Sequence, residues 1–233
     1  MQRTNVFPLI NQTRRTLRLL GTTLAGSLLC WLLPAQLHAG TDVHAAPMKT
    51  ILFFGDSITA GYGLDDPALA YPGLIGDRIE REHLPYRVVN AGLSGETTAG
   101  GLRRIDWILR QSISIFVLEL GGNDGLRGLP PAEAQANLQA IIDKVRAQDP
   151  SVKIVLEGMM MPTNLGAEYT SAFAAIYPTL AEKNHIVLVP FLLEHVGGNA
   201  GLNQADSIHP NAKGHAILAE TVWKYLEPIM RAG

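Results

Sequence analysis

Along most of the chain, short apolar runs alternate with longer stretches in which apolar residues recur every three or four positions. The runs Thr50–Gly55, Tyr86–Asn90, Ser114–Leu120, Lys153–Met159 and His185–Pro190 are rich in Val, Ile, Leu and Phe. Several are almost continuously apolar, as strands covered on both faces are. The helical stretches are Tyr71–His83, Thr97–Arg110, Pro131–Gln148, Ala167–Lys183 and Asn211–Met230. In the third, Leu138, Ile141, Ile142 and Val145 share one face, and prolines stand at both ends. Strand followed by helix, five times over, predicts right-handed crossovers and a parallel sheet. The expected fold is a three-layer α/β/α domain.

In such a sheet a ligand sits at the carboxyl ends of the strands, near the point where strand order reverses. The segments just after the strands are therefore informative. They read Gly55-Asp56-Ser57, then Asn90 to Glu96, then Gly121-Gly122-Asn123-Asp124, then Met160 to Asn164. Glycine and small polar residues recur there, and a sheet without an active edge has no need of them.

The first forty residues depart from the alternation. Arg14, Arg15 and Arg18 precede an apolar stretch from Leu19 to Leu33, after which the chain turns small and polar. That is the order of a secretory signal, and the apolar run is shorter than the roughly 20 residues a membrane-crossing helix needs. Residues 1–39 are expected to be a cleaved leader, cut after Ala39 because Pro47 disfavours a cut after Ala46. Residues 40–48 form a short linker. Arg14-Arg15 leaves a twin-arginine route open. The single cysteine, Cys30, lies inside the leader, with Leu29 where a lipidation site has a small residue. No stable membrane anchor is expected, and the mature chain has no disulfide, thiol nucleophile or thiolate metal site. About 190 residues remain, enough for one domain with a substantial core. Nineteen Lys and Arg nearly balance 21 Asp and Glu, without blocks of like charge in the mature part. Nucleic acid has no electrostatic footprint here.

Ser57, in "FFGDSITAGYG", directly follows the first strand. Taken alone it is also good turn or N-cap chemistry. Asp206 and His209, in "ADSIHPNAKGHAI", lie three apart before a helix that Pro210 can begin. Alone they suit a helix cap with a surface histidine. A hydrolytic serine, however, needs such a pair: an imidazole to take its proton and a carboxylate to fix the tautomer. Two further edge loops offer oxyanion donors, the Gly95 N–H in "LSGETT" and the Asn123 side-chain amide in "GGND". With the Ser57 N–H these make three.

"GDSIT", "NAGLSGETT", "LGGND" and "DSIHP", in this order, resemble the motif blocks of the SGNH, or GDSL, hydrolases. "VLELGGNDGLRGLPP" and "AFAAIYPTLAEKN" are especially similar to their thioesterase I, arylesterase and lysophospholipase branch. The resemblance spans Lys49 to about Met230 and implies a hydrolase domain over 49–233 with a flavodoxin-like sheet of five parallel strands. It assigns Ser57 as nucleophile, Ser57, Gly95 and Asn123 as oxyanion donors, Asp206 as orienting acid and His209 as base. Gly92 competes with Gly95 for register, and Ser-Gly-Glu-Thr selects Gly95. The family uses no metal and no organic cofactor, and this branch is exported to the periplasm. The expected substrate is a small acyl ester or thioester. A carbohydrate O-acetylesterase uses the same machinery, and a binding module that retains the fold is the rival outside catalysis.

Pro162 and Asn164 are candidate substrate contacts, because the loop from Met160 to Gly166 either joins the core or lines an acyl groove. The loop "GYGLDDPALAY" is longer than in that branch. His83, His185, His195 and His215 are scattered and read as surface or packing residues, and Asp56 is expected to hold the nucleophile loop through backbone bonds.

Overall fold

The computed structural model describes residues 48–232, so the leader and most of the linker lie outside the described residues. Five strands, β1 (Lys49–Phe54), β2 (Tyr86–Asn90), β3 (Ile115–Leu118), β4 (Lys153–Glu157) and β5 (Val187–Val189), form one sheet in the order β2-β1-β3-β4-β5. All four pairings are parallel. β1 and β3, at the centre, are almost wholly buried, as their apolar sequences require.

Helices α2 (Tyr71–Arg81) and α8 (Ala212–Ala232) pack together on one face. On the other lie α3 (Thr98–Ile108), α5 (Pro131–Gln148) and α7 (Ile176–Asn184). Three shorter helices, α1 (Ser57–Ala60), α4 (Gly122–Leu126) and α6 (Ala167–Ala174), come in the chain after β1, β3 and β4. The chain goes from β1 to the edge strand β2 and then to β3 on the other side of β1. Strand order thus reverses between β1 and β3, and the crevice opens there.

One expected helix, Ala167–Lys183, is two. α6 ends at Ala174 and α7 begins at Ile176. Pro178 explains the break, since it has no N–H for the Ala174 carbonyl and its ring crowds that oxygen. The final helix also starts later than expected. Asn211, not Pro210, sets its beginning: Asn211 Oδ1 accepts the N–H groups of Lys213 (3.0 Å) and Gly214 (3.1 Å). Pro210 instead forms an isolated antiparallel bridge with Asn203. Among the described residues no helix is long and apolar enough to cross a membrane.

Candidate active site

Ser57, Gly95 and Asn123 follow β1, β2 and β3, and Asp206 and His209 lie between β5 and α8. Ser57 is the first residue of α1, whose N-cap, Asp56, accepts the Ile58 N–H on Oδ1 (3.0 Å). A first helical N–H has no acceptor within its helix, so that of Ser57 is available to a ligand. His209 Nε2 lies 2.9 Å from Ser57 Oγ, and His209 Nδ1 lies 2.6 Å from Asp206 Oδ2. Asp206 Oδ1 accepts the backbone N–H of Ile208 (2.9 Å) and of His209 (3.0 Å). The His209 side chain above all, then these two N–H groups, hold the Asp206 carboxyl down at about 2. An ionised carboxylate only accepts, which puts the proton on Nδ1 and leaves Nε2 to accept from the serine hydroxyl.

The two glycines of the second loop separate cleanly. Gly92 donates to Asn90 Oδ1 (2.9 Å) and presses against the Ala60 backbone. Gly95 adopts φ +79°, and a Cβ there would meet nothing nearer than Arg127 Nη2 at 3.9 Å. Arg127 Nη2 donates to the Gly95 carbonyl (3.0 Å) and steadies the loop. Gly121 turns β3 into α4 with φ +119°, and a Cβ there would fall 2.3 Å from Tyr177 Oη. That turn delivers Asn123, whose Nδ2 donates both to Asp56 Oδ2 (3.0 Å) and to the Glu96 carbonyl (3.0 Å). Both amide protons therefore have acceptors inside the protein, a commitment that sequence alone does not reveal.

Asp56 does hold its loop, and it reaches further than its own turn by binding Asn123. Its carboxyl is pushed well above the usual range, by burial first and by the charge of Glu119 second.

Ser57, Asn123 and His209 open onto a cleft of about 590 Å³ walled by Leu126, Met159, Met161, Phe191 and Ile208 among others. Met159 and Met161 are also part of the core, while Met160, which lines the cleft as well, is half exposed. Pro162 lines the cleft; Asn164, on the exposed turn beyond it, does not. An open cleft of similar size, about 640 Å³, lies at the opposite edge of the sheet around Lys49, Ser114 and Lys153 and holds none of these groups.

Several contributors escaped the sequence reading. Tyr62 lies with its ring centroid 4.8 Å from that of His209. Its N–H donates to the Ser57 carbonyl (3.0 Å) and its own carbonyl accepts from Gln204 Nε2 (2.6 Å). A large residue between glycines, in Gly61-Tyr62-Gly63, was the available signal. Arg104 ties the edge together, donating to the Ala91 (2.9 Å) and Gly55 (3.3 Å) carbonyls and pairing with Glu96. It shares a helix face with Gly101, Ile105 and Ile108, all buried, where an arginine is conspicuous.

Residues 53–217 match the model of the GDSL-like lipase/acylhydrolase family. The chain belongs to that family. It is 44% identical over 186 residues to the esterase TesA of Pseudomonas aeruginosa, covering 79% of this chain and 91% of that protein. To the thioesterase 1/protease 1/lysophospholipase L1 of Escherichia coli K12 it is 37% identical over 201 residues, 86% of this chain and 94% of that one. A crystal structure of TesA superposes with a TM-score of 0.74 at 44% identity, covering 78% of this chain and 99% of that chain. The α/β fold with a five-stranded parallel sheet is thus the fold of GDSL hydrolases.

Proposed function

We propose that this GDSL hydrolase is a serine esterase that cleaves acyl esters and thioesters through an acyl-enzyme on Ser57. The observation that carries the reading is the unbroken line from Ser57 Oγ through His209 to Asp206, with contacts of 2.9 and 2.6 Å, at the mouth of a largely apolar cleft. The relatives, an esterase and a thioesterase, agree with it.

Ser57 attacks the acyl carbonyl as its proton passes to His209 Nε2, and Asp206 favours the imidazolium that forms. The oxyanion is met by the N–H groups of Ser57 and Gly95 and by Asn123 Nδ2. For this Asn123 exchanges its bond to the neutral Glu96 carbonyl for one to the anion, because charge-assisted bonds are the stronger. Asp56 keeps the second amide proton and so keeps the amide aimed. His209 then protonates the departing alcohol or thiol, and a water deprotonated by the same nitrogen releases the acid.

The apolar walls suit the acyl chain. Work in the periplasm or outside the cell is part of the proposal, supported by the basic, apolar, then small order of residues 14–39.

Steady-state hydrolysis of p-nitrophenyl esters of increasing acyl length tests it. kcat/KM is expected to rise from acetyl to medium chains, each buried methylene being worth up to about 0.8 kcal/mol, or about fourfold. A rate confined to acetyl would instead indicate a carbohydrate O-acetylesterase, and no rate on any ester would indicate a binding module. Asn123→Ala is expected to lower kcat about 100- to 1000-fold with little change in KM. A change in KM alone would remove Asn123 from the oxyanion site.

A further inference from the structure

Behind the nucleophile turn lies a ladder of polar groups with no exposure to speak of. Glu119 and Glu157, one residue past β3 and at the end of β4, are 1% and 0% exposed, and Thr59 and Tyr71 are 0% exposed. Glu157 Oε2 lies 2.8 Å from Tyr71 Oη, Tyr71 Oη lies 3.0 Å from Thr59 Oγ1, and Thr59 Oγ1 lies 2.8 Å from Glu119 Oε2. The same Glu119 oxygen accepts the backbone N–H of Asp56 (3.0 Å). Through Asp56 the ladder reaches both Ser57 and Asn123.

These are three oxygen–oxygen contacts, each needing one proton, and the two hydroxyls supply only two. The third proton must sit on a carboxyl group. Glu119 Oε2 already receives two donors, which favour its ionised form, whereas Glu157 has Tyr71 alone; the Oε1 of each is buried without a partner. The proton therefore belongs on Glu157, which donates to Tyr71, which donates to Thr59, which donates to Glu119.

We infer that Glu119 is a positioning residue for the nucleophile turn, and that a proton stored on Glu157 completes the ladder that holds it. Taking that proton away leaves a contact without hydrogen and a second buried negative charge beside the first. Asp56 then loses its anchor, and with it the geometry of Ser57 and Asn123. This rests on the esterase reading of Ser57.

Every facing group is consistent with a carboxyl kept neutral. From α2 comes Tyr71; from α8 comes His215, whose Nδ1 accepts the Tyr71 N–H (3.2 Å) and which burial depresses to about 4, so it brings no charge. From α7 comes Tyr177, and from the α1 turn Asp56. Arg104 of α3 is occupied by Glu96 and by backbone carbonyls. Burial raises Glu157 to about 8 and Glu119 to about 7.

A glutamine at 157 can donate permanently to Tyr71, mimicking the protonated acid. The test is the pH profile of kcat for a p-nitrophenyl ester between pH 6 and 9.5, with spontaneous hydrolysis subtracted. The wild type is expected to lose rate above about pH 8, and Glu157→Gln to keep it at least one pH unit further. Glu119→Ala is expected to lower kcat at least tenfold at pH 7 with KM held, and Glu119→Gln, which retains an acceptor, to recover most of it. Coincident alkaline limbs in wild type and Glu157→Gln would overturn the inference, even if Glu119→Ala fails to fold.

Melting temperature provides a readout independent of catalysis. A folded-state pKa raised above the unfolded value gives stability that is complete below about pH 4.5 and is lost as pH rises through about 8. The wild-type Tm is expected to fall between pH 6 and 9 more steeply than that of Glu157→Gln, and equal slopes would count against the stored proton. Ser57→Ala run alongside separates the two readings. An active Ser57→Ala refutes the esterase assignment, whereas an inactive one with coincident pH profiles refutes only the ladder.

Discussion

Ser57→Ala is expected to lower kcat/KM for p-nitrophenyl esters by about 10⁴-fold or more while leaving a folded protein. The change removes one oxygen atom, which contacts His209 and belongs to a residue at the start of a helix with its own N–H available. Among the described residues, Thr59 is fully buried and bound to Glu119, and the hydroxyls of Thr163 and Ser207, which also line the cleft, make no hydrogen bond to His209. The residual rate would come from a water held by His209 against the remaining donors. Stability should shift by about 1 kcal/mol or less, since one hydrogen bond to an accessible imidazole is lost. The check is steady-state kinetics beside a thermal melt. Esterase activity within about tenfold of wild type in a pure sample would overturn the assignment of Ser57 and send the search for a nucleophile elsewhere.

The strands were legible because a central parallel strand is apolar on both faces, and β1 and β3 carry that pattern without interruption. The residues proposed as nucleophile, donors, acid and base were legible because four loops with unusual chemistry fall at one predicted edge. What stayed hidden is mostly chemistry between elements. Helices of four and five residues, α1 and α4, are too short for any periodicity to mark them, although they aim Ser57 and Asn123. The split of α6 from α7 had its cause printed in the sequence as Pro178, yet the amphipathic pattern runs through it. Glu119 and Glu157 stand at the ends of otherwise apolar runs, and acids in such positions are the mark of a buried polar network. Their partners, Tyr71 and Thr59, come from other segments, so no spacing along the chain brings the four together. Asn123 is similar: that an amide can serve an oxyanion is visible from its type, but that Asp56 and Glu96 hold both of its protons depends on three separate loops meeting.

Asp206→Asn is expected to lower kcat about 10³- to 10⁴-fold, for a reason beyond lost charge. Both carboxylate oxygens of Asp206 are engaged. Oδ2 faces His209 Nδ1, and Oδ1 takes the N–H groups of Ile208 and His209. An asparagine has one acceptor and one donor group to place in these two positions. With its NH₂ toward the two backbone N–H groups, donor meets donor and the loop is forced apart, at a bend where Ser207 already holds φ +59°. With its NH₂ toward His209, it donates to Nδ1, the imidazole proton moves to Nε2, and that nitrogen can no longer take the proton of Ser57. Either way the base is disabled while Ser57 and the cleft remain. The acid side of the rate profile should not report Asp206 itself, because a carboxyl held at about 2 stays ionised throughout the working range. The expected signature is therefore a fall in kcat at every pH from 5 to 9, with KM nearly unchanged. A variant whose loss is confined to KM, or is smaller than about tenfold, would show that the backbone alone fixes the His209 tautomer and that Asp206 serves only the loop.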